Sequence, residues 1–396
     1  MIIAICLILF GGAILLDIYA YRRFVSRCAN APLRMATIAV CAVTDVLPLL
    51  VIALSRGLFL FDNTQCFSDV AMWVATLYLI VVPPRMVLYL GLLVARRNAI
   101  VRAIAVALSV AAFGVLMVGF AKTRTDLVVR RVNLEYRTLP SSFDGYRIAF
   151  ISDLHIGAMS DAPQFCTEIV DSLNSLRPDL VVFGGDLAHI RHSEIDDRIR
   201  TILGRIRATD GVVAVLGNHD MGIYIKDTVA LSRQENVGRV CSAMHDMGWQ
   251  LLRDSTAYIR RGQDSIAVTG IDFSERLLEL RYKFAFEEGD CDVSRAYASM
   301  PDSLFNITVS HLPQLWQTIT AAGYGNLTLA GHIHAGQLKA ECGGLSLSPA
   351  MLMYREWSGL YGDDEHRLYI NDGIGSVGFY IRIGAKPEIT LIELQH

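Results

Sequence analysis

The first 121 residues of the chain are dominated by long apolar runs with few polar interruptions. A helix rises about 1.5 Å per residue, so about 20 apolar residues are enough to cross a hydrocarbon layer about 30 Å thick. Four runs reach this length and predict four transmembrane helices, at residues 2–20, 35–55, 70–95 and 103–121. The first run has no basic segment before it and three more follow, so we expect it to be retained rather than cleaved as a signal peptide.

From about Asp126 the pattern changes to short β-rich runs that are separated by helical stretches and Gly-rich turns, which is typical of an α/β domain. Strands are predicted at residues 127–136, 146–151, 179–184, 212–216, 255–260, 265–271, 305–310, 326–330, 367–371 and 387–394. Helices are predicted at residues 163–176, 194–207, 226–247 and 313–322. Residues 274–303 are rich in charged and aromatic side chains, which favours an insertion or a cap over a site.

The charge of the chain changes at the same place as its hydropathy. Residues 1–121 contain nine Arg, four Asp and neither Lys nor Glu, whereas residues 122–396 contain 27 basic and 35 acidic side chains. The formal net charge of -3 is therefore the sum of +5 and -8. With 53% hydrophobic residues, this balance excludes a disordered chain, a basic nucleic-acid binder and a simple secreted domain. We expect a membrane anchor at residues 1–121 and one large domain at residues 122–396.

The arginines between the predicted spans indicate an orientation in the membrane. Basic residues are concentrated in the first connection (Arg22, Arg23, Arg27 and Arg34) and in the third (Arg96, Arg97 and Arg102), whereas the middle one has Arg56 against Asp62 and Asp69. By the positive-inside rule, the two Arg-rich connections of a multi-pass inner-membrane protein face the cytoplasm. The large domain would then lie on the outer face. The opposite orientation is favoured by the basic residues that follow the last span, Lys122, Arg124, Arg130 and Arg131.

Two charged residues, Asp45 and Arg85, fall near the middle of predicted spans. An isolated charge costs several kcal/mol at that depth and normally has a partner. We therefore expect these two residues to pair between the second and third helices, beside a kink at Pro83-Pro84. A path for an ion or a substrate is the alternative. A structural ion pair is favoured, because such charges are commonly buried in helix contacts.

In the α/β domain, polar residues follow five of the predicted strands. Strand 146–151 leads to Asp153 and His155, strand 179–184 to Asp186, strand 212–216 to Asn218, His219 and Asp220, strand 305–310 to His311, and strand 326–330 to His332 and His334. Open α/β sheets place ligands at the carboxyl ends of their strands. The pattern therefore predicts that these side chains converge on one site.

The residue types in this set point to a site with two metal ions. Two cations about 3.5–4 Å apart can present a nucleophile to a phosphorus centre and neutralise charge on its oxygens, and they need a bridging carboxylate with further His, Asp or Asn ligands. The set contains no Cys, and its imidazole, carboxylate and amide groups suit Mn, Fe or Zn better than Ca or Mg. A structural zinc site is disfavoured.

The order of these motifs resembles that of the calcineurin-like metallophosphoesterase superfamily, and within it the membrane-anchored bacterial branch. The motifs are D-x-H, G-D, G-N-H-D, a lone His and G-H-x-H, and the similarity covers about residues 127–396. Single motifs of this kind arise often by chance, but the ordered set is specific. The resemblance implies that the α/β domain is a four-layer αββα sandwich. The four-helix segment lies outside its motifs.

The resemblance also implies a role for each residue of the set. One metal would be held by Asp153, His155, Asp186 and His334, and the other by Asp186, Asn218, His311 and His332, with Asp186 bridging. His219 would lie beside the phosphate, stabilising the transition state or protonating the leaving group, and Asp220 would orient its imidazole. The implied reaction is cleavage of a phosphoester or pyrophosphate bond by direct attack of a metal-bound hydroxide, without a covalent intermediate.

Two positions depart from the usual pattern without removing a ligand. Ala188-His189 stands where membrane-anchored relatives often have an apolar residue and Asp, and Ala335 replaces a common Gly. For His189 a solvated loop position is favoured over a substrate contact, because Arg191, His192 and Glu194 are its neighbours. The acidic run at residues 194–199 is likewise interpreted as a solvated helix face.

Three functions are compatible with this sequence. A membrane-anchored phosphohydrolase is favoured, because a catalytically silent scaffold or regulatory domain would be free to lose His219 and Asp220. A transporter with an accessory domain is disfavoured, because the predicted helices show neither a repeat nor a polar lining. The ligand set does not choose among monoester, diester and pyrophosphate substrates, although membrane tethering favours a lipid-linked one. No nucleic acid is expected as a partner, and the oligomeric state is left open.

Overall fold

The computed structural model describes residues 2–27, 29–55, 64–95, 98–225, 231–287, 289–301 and 303–396. Contacts between residues divide the chain into two compact units. The first contains residues 1–122 together with 378–381, and the second contains residues 123–377 and 382–396. The division lies one residue from the boundary expected from the change in composition. The inclusion of residues 378–381 in the first unit has no counterpart in the sequence pattern.

Within its described residues, the first unit is built from four long helices, α1 (Ile2–Arg23), α2 (Ala31–Ser55), α3 (Thr64–Ala95) and α4 (Ala99–Ala121). Two of them, over Gln65–Ala95 and Ala99–Thr125, are long and apolar enough to cross a membrane. They contain the third and fourth predicted spans, and the first two predicted spans lie within α1 and α2. The connecting residues Arg56, Asp62, Arg96 and Arg97 lie outside the part of the chain that the structure describes.

Arg85 of α3 makes the predicted contact with Asp45 and a second contact, with Asp17, that no sequence pattern predicted. One guanidinium nitrogen lies 2.7 Å from a carboxylate oxygen of Asp17 and 3.1 Å from one of Asp45. The other terminal nitrogen donates to the hydroxyl of Thr44 at 2.9 Å. Asp17 lies near the end of the first apolar run, where a charge needs no special explanation, so the pattern gave no sign of its part in the cluster.

The second unit contains two six-stranded mixed sheets, as the α/β pattern predicts. Its strands are β1 (Val128–Glu135), β2 (Tyr146–Ile151), β3 (Leu180–Phe183), β4 (Val212–Ala214), β5 (Gln250–Leu251), β6 (Ser255–Arg261), β7 (Asp264–Gly270), β8 (Asn306–Val309), β9 (Leu327–Ala330), β10 (Ala340–Cys342), β11 (Leu345–Leu347), β12 (Gly359–Gly362), β13 (Arg367–Ile370) and β14 (Glu388–Gln395). The strand orders are β1-β14-β2-β3-β4-β5 and β12-β13-β9-β8-β7-β6, and β10 pairs with β11 in a separate hairpin. Strands β2 to β5 run parallel, and so do β7, β8, β9 and β13.

Six helices complete the second unit: α5 (Ala162–Ser175), α6 (Asp197–Leu203), α7 (Arg233–Asp246), α8 (Glu275–Leu280), α9 (Ser294–Tyr297) and α10 (Trp316–Ala321), among the described residues. Two predicted helices are shorter than expected, because capping residues set their starts. Asp196 accepts the N–H of Ile199 at the start of α6, and Ser232 accepts that of Glu235 at the start of α7. The predicted helical residues 226–230 lie outside the described chain.

The inner strands are buried on both faces and separate two layers of apolar side chains. Phe150 and Val182 of the first sheet belong to one cluster with Val268 and Ile307 of the second. The neighbouring residues along these strands, such as Ala149 and Val181, point the other way and pack with α5, α6 and α7. All ten predicted strands are present. The pattern missed β5, which has two residues, and β10, β11 and β12, whose side chains are largely exposed.

Candidate metal centre

The predicted ligands follow strands that run parallel within each of two sheets, and the two sheets pack against each other. Residues after β2, β3 and β4 come from the first sheet, and those after β8 and β9 come from the second. The side chains of the predicted ligands are buried, as expected for a site enclosed between two sheets: Asp153, His155, Asp186, Asn218, His311 and His334 are at most 2% exposed, and His332 is half-buried.

One group of possible ligands consists of Asp153, His155 and His334, whose ligand atoms all lie within 4.8 Å of one another. The Nε2 atoms of the two histidines are 3.0 Å apart, and that of His334 is 3.3 Å from an oxygen of Asp153. These are three of the four residues implied for the first metal. Two imidazoles and a carboxylate at such distances can close around one ion.

A second group consists of Asp186, His311 and His332, with ligand atoms within the same 4.8 Å. The Nε2 atom of His311 lies 3.2 Å from an oxygen of Asp186 and 3.2 Å from the amide oxygen of Asn218. The same oxygen of Asp186 is 3.6 Å from Nε2 of His155, which belongs to the first group. Asp186 therefore lies between the two groups.

The backbone conformation of the ligands explains how side chains close in sequence reach one cavity. Five of the seven predicted ligands, Asp153, His155, Asp186, His332 and His334, have φ between 47° and 73°. This left-handed region costs an ordinary residue about 1 kcal/mol or more, and such residues cluster at functional sites. Asp153 and His155, and likewise His332 and His334, are two residues apart, and left-handed turns beyond the strand ends bring both members of each pair to one site. No sequence pattern indicated these turns.

Buried charges make the centre suited to a cation. Burial opposes ionisation, but the nearby His334 holds the pKa of Asp153 well below its usual range. Burial similarly opposes a charged imidazole, yet the carboxylates of Asp186 and Asp153 raise the pKa of His311 to about 9. Burial, and then the charge of His311, lowers the pKa of His332 to about 3. The carboxylates and His332 are thus already in the form that binds a metal, whereas His311 must lose its proton when a metal binds.

The position of His219 corrects one expectation about Asp220. The Nδ1 atom of His219 is hydrogen-bonded to the carbonyl oxygen of His189, which can only accept, so Nδ1 carries the proton. The carboxylate of Asp220 accepts backbone N–H groups instead, from Gly217 and from residues 186 to 188. The interpretation that Asp220 orients the imidazole is therefore wrong, because its two oxygens are taken up by the loop after β3.

His189 and Glu194 are also placed differently from the expectation of a solvated loop. His189 is 3% exposed, its ring stacks on that of His219 at 5.3 Å, and its Nδ1 lies 3.5 Å from Nδ1 of His155. The carboxylate of Glu194 accepts the N–H groups of Gly157 and of residues 189 to 191. The rest of the acidic run is solvated as predicted at Asp196 and Asp197. The neighbouring charged residues predicted exposure to solvent, but the fold of the loop buries the side chains of His189 and Glu194.

Several residues near the ligands escaped the sequence analysis. The amide nitrogen of Asn218 donates to the hydroxyl of Tyr224 at 3.2 Å, and the hydroxyl of Tyr354 lies 3.4 Å from Nε2 of His332. The fully buried Arg382 contacts Nδ1 of His334 at 3.0 Å. A cavity of about 280 Å³ opens over both groups, and Tyr224, Tyr282 and Tyr354 are among its walls. These tyrosines and Arg382 belong to no sequence motif, so no sequence signal showed that they lie near the ligands.

The same segment of the chain, residues 146–336, matches the family model described as calcineurin-like phosphoesterase. This part of the chain, a little under half of its length, is similar to the calcineurin-like phosphoesterase family. The match begins at β2 and ends just after His334, so it covers every predicted ligand. The donor chemistry agrees, because the structure brings histidine, carboxylate and amide groups of this family's motifs together without a cysteine.

Curated relatives include both membrane and uncharacterised proteins. A protein of Danio rerio named transmembrane protein with metallophosphoesterase domain is 31% identical over 67% of this chain and 56% of its own length. The uncharacterised metallophosphoesterase YkuE of Bacillus subtilis is 27% identical over 65% of this chain and 82% of its own. The UDP-2,3-diacylglucosamine pyrophosphatase LpxG of Chlamydia trachomatis is 24% identical over 67% of this chain and 89% of its own. The chain thus spans little more than half of the fish relative.

Proposed function

We propose that this chain is a membrane-anchored phosphohydrolase that uses two metal ions to cleave a phosphoester or pyrophosphate bond. The observation that carries the proposal is the position of Asp186. One of its oxygens lies 3.2 Å from Nε2 of His311 and 3.6 Å from Nε2 of His155, so a single carboxylate serves both ligand groups. A bridging carboxylate between two histidine-containing groups is the arrangement that a two-metal site requires.

In this proposal Asp153, His155, Asp186 and His334 hold one ion, and Asp186, Asn218, His311 and His332 hold the other. Manganese, iron and zinc suit such ligands best. The bound ions would supply an activated nucleophile and neutralise charge on the phosphoryl oxygens. Both effects require a dry, fixed ligand cage, which the burial of these side chains provides.

His219 is the proposed catalytic residue that stabilises the transition state or protonates the leaving group. Its Nδ1–H is held by the carbonyl of His189, and the ring lines the cavity over the metal groups. With Nδ1–H engaged, Nε2 is the atom that would have to take up a second proton, which makes the ring cationic, before passing it to a leaving oxygen. Asp220 has an indirect part here, because it positions the loop that contains both Asp186 and the carbonyl of His189.

The membrane part of the proposal is a multi-pass anchor of four helices, with the domain on the outer face of the inner membrane. Two helices of suitable length and apolarity, and relatives named as transmembrane proteins, support anchoring. The Arg-rich connections support the orientation. A lipid-linked phosphate or pyrophosphate is the favoured substrate, since anchoring confines the site to the bilayer surface and one relative is named for a diacylated pyrophosphate.

The test uses the full chain in detergent with Mn²⁺ and aryl phosphate esters, p-nitrophenyl phosphate and its diester. We expect metal-dependent hydrolysis that falls about 100-fold in His219→Ala, the lower end of the range for loss of a proton donor. The hydrolysis rate of this variant should fall less for an ester whose leaving group is p-nitrophenol than for one whose leaving group is an alkyl alcohol. An alkyl alkoxide is more basic, so its departure depends more on protonation. His245→Ala, in the exposed part of α7, is the control. Metal binding without hydrolysis would support the silent scaffold instead.

The orientation is tested separately by reporter fusions after residue 60 and after residue 396. The proposal predicts that a reporter active only outside the cytoplasm is active at both positions. Activity of a cytoplasmic reporter at residue 396 would contradict it and remove the argument for an outward-facing substrate.

A further inference from the structure

The cavity over the metal groups is lined by apolar and aromatic residues as well as by the predicted ligands. The apolar and aromatic part, here called the apolar wall, consists of Pro349, Ala350, Met353, Tyr354, Val377 and Tyr282. Tyr354 is 6% exposed and belongs to a small apolar cluster with Ile333 and Ala350. A substrate that places its phosphate at the ligands would therefore place the neighbouring part of the molecule against hydrocarbon and aromatic rings.

Beyond this wall, the apolar surface continues into solvent. Six large apolar or aromatic side chains, which we call the apolar rim, are between 43% and 60% exposed: Tyr282, Phe284, Leu345, Leu347, Met351 and Leu352. Two of them, Met351 and Leu352, lie between Ala350 and Met353, which line the cavity. Tyr282 itself lines the cavity, so these three members place that part of the rim at the candidate site. Adjacent exposed apolar residues on a folded surface commonly mark a binding site.

The rim is built on two loops that are fixed to each other and to the ligand-bearing turn. The backbone N–H of Arg355 donates to the carbonyl of Phe284 at 3.2 Å, which joins the loop after α8 to the loop after β11. The hydroxyl of Ser348 donates to the carbonyl of Ala335, next to His334, at 2.7 Å. The exposed side chains therefore hold a defined position relative to the metal groups.

A positive charge lies at the junction of rim and cavity. The guanidinium carbon of Arg281 is 4.5 Å from the centre of the Tyr282 ring. An anionic group next to a hydrocarbon chain would meet this cation and the ligand groups on one side and the rim on the other. This combination fits an amphiphile with a phosphorylated head.

We propose that the apolar rim binds the hydrocarbon chain of an amphiphilic phosphoester while its phosphate lies at the metal groups. The inference rests on the proposed function, because the phosphate is placed by the ligands. It names the substrate class as a single-chain or multi-chain lipid phosphate or pyrophosphate. The rim residues are then specificity-determining residues that act through binding.

The test measures inhibition of aryl phosphate hydrolysis by n-alkyl phosphates from butyl to dodecyl, with the Mn²⁺-loaded full chain in one detergent. Complete burial of each added methylene would lower the inhibition constant about fourfold, and we expect about twofold to fourfold. In the variant Leu345→Ser/Leu347→Ser/Met351→Ser/Leu352→Ser this dependence should fall by at least about half. Because the inhibitors partition into detergent equally for every variant, the difference between variants reports the rim.

Leu360→Ser is the matched control, since Leu360 is 48% exposed on β12 and does not line the cavity. It should keep the chain-length dependence of the unchanged protein. Tyr282→Ser/Phe284→Ser, on the other loop, replaces the first variant if that one does not fold. Equal chain-length dependence in the unchanged protein and in the rim variant would overturn the proposal and leave a membrane surface or a protein partner as the occupant.

The proposal and the proposed function fail separately. If the full chain hydrolyses the aryl ester but the rim variant keeps the chain-length dependence, only the rim proposal is lost. If no ester is hydrolysed, the proposed function is lost, and calorimetric binding of the same alkyl phosphates to the Mn²⁺-loaded variants tests the rim alone. If longer alkyl phosphates bind the unchanged protein more tightly and the rim variant lacks this dependence, the rim proposal would still be supported.

Discussion

Asp220 and Glu194 divide between them six consecutive backbone N–H groups, those of residues 186 to 191. Asp220 accepts the first three, and Glu194 accepts the last three. Both carboxylates also accept one N–H from elsewhere, from Gly217 and Gly157 respectively. The loop that begins with the left-handed Asp186 and presents the carbonyl of His189 is therefore held along its whole length. A carboxylate with donors on both oxygens is a strong clamp.

This arrangement predicts that Asp220→Asn damages stability and metal binding together. A carboxamide keeps one acceptor oxygen and turns an NH₂ group toward backbone donors, and each buried donor left without an acceptor costs about 1–3 kcal/mol. Two backbone donors share each carboxylate oxygen, so we expect about 2–6 kcal/mol of lost stability together with weaker Mn²⁺ binding, measured by denaturation and metal titration. Asp171→Asn, at an exposed carboxylate of α5, is the control. A fall in kcat alone would instead support a direct partnership with His219.

The contact between Tyr224 and Asn218 predicts a specific metal defect in Tyr224→Phe. The tyrosine hydroxyl accepts from the amide nitrogen at 3.2 Å, which leaves the amide oxygen directed at the second ligand group. Removing an outer partner of a metal ligand typically weakens metal binding about 10-fold to 100-fold. We expect the weaker of two Mn²⁺ affinities to fall by such a factor and hydrolysis to recover at high Mn²⁺. Tyr258→Phe, whose hydroxyl bonds the distant Ser299, should change neither.

The charge state of His311 predicts how metal affinity depends on pH. In the metal-free protein Asp186 and Asp153 overcome the effect of burial and raise the pKa of this imidazole to about 9. The protonated form therefore stabilises the metal-free fold fully below about pH 6.5, and this contribution is lost as the pH rises through about 9. A metal ion must displace the same proton, so we expect affinity to rise by up to about tenfold per pH unit in that window.

Calorimetric Mn²⁺ titrations at pH 6.5, 7.5 and 8.5, in buffers of different ionisation enthalpy, measure both the affinity and the protons released. Affinity that is constant across this range, with no proton release, would show that His311 is neutral before the metal binds.

The membrane unit gives an independent prediction, because Arg85 contacts the carboxylates of both Asp17 and Asp45. Arg85→Ala leaves two buried carboxylates without their cation, which costs several kcal/mol. We expect it to lower the yield of folded protein more than Asp45→Ala does. Adding Asp17→Asn and Asp45→Asn to Arg85→Ala should recover part of the yield in fluorescence-detected gel filtration. A triple variant no better than Arg85→Ala would show that the cluster does not depend on charge balance.

Much of the fold was predictable because buried strands have a simple pattern. Runs such as IAFI (residues 148–151) and LVVF are apolar without interruption, and the polar residues that follow them mark the edge where the site forms. The exposed hairpin of β10 and β11 has no buried face, so its pattern carried no signal. The rim residues Leu345 and Leu347 of β11 were missed for the same reason, whereas Tyr282 and Phe284 fall within residues 274–303, the segment interpreted from its composition as an insertion or a cap over a site.

The ligands of the candidate site were predictable from the sequence, but the residues that position these ligands were not. Asp153, His155 and Asp186 follow strands in a recognisable order, whereas the clamp by Glu194 and the contact of Arg382 with His334 join residues that no local pattern relates. His189 and Asp220 were misassigned because neighbouring charges and motif order say nothing about which way a loop turns. Only the folded loop after β3 shows that it directs the ring of His189 inward and takes up both oxygens of Asp220.

The central claim, that Asp186 joins two metal groups into one hydrolytic centre, is tested most directly by comparing Asp186→Asn with the unchanged full chain. The measurement is hydrolysis of an aryl phosphate ester over a range of Mn²⁺ concentrations, together with the bound metal per chain. We expect two bound ions and metal-dependent hydrolysis in the unchanged protein, and a loss of at least about 1000-fold in the variant, with fewer than two ions retained. Hydrolysis by Asp186→Asn at the rate of the unchanged protein would contradict the account.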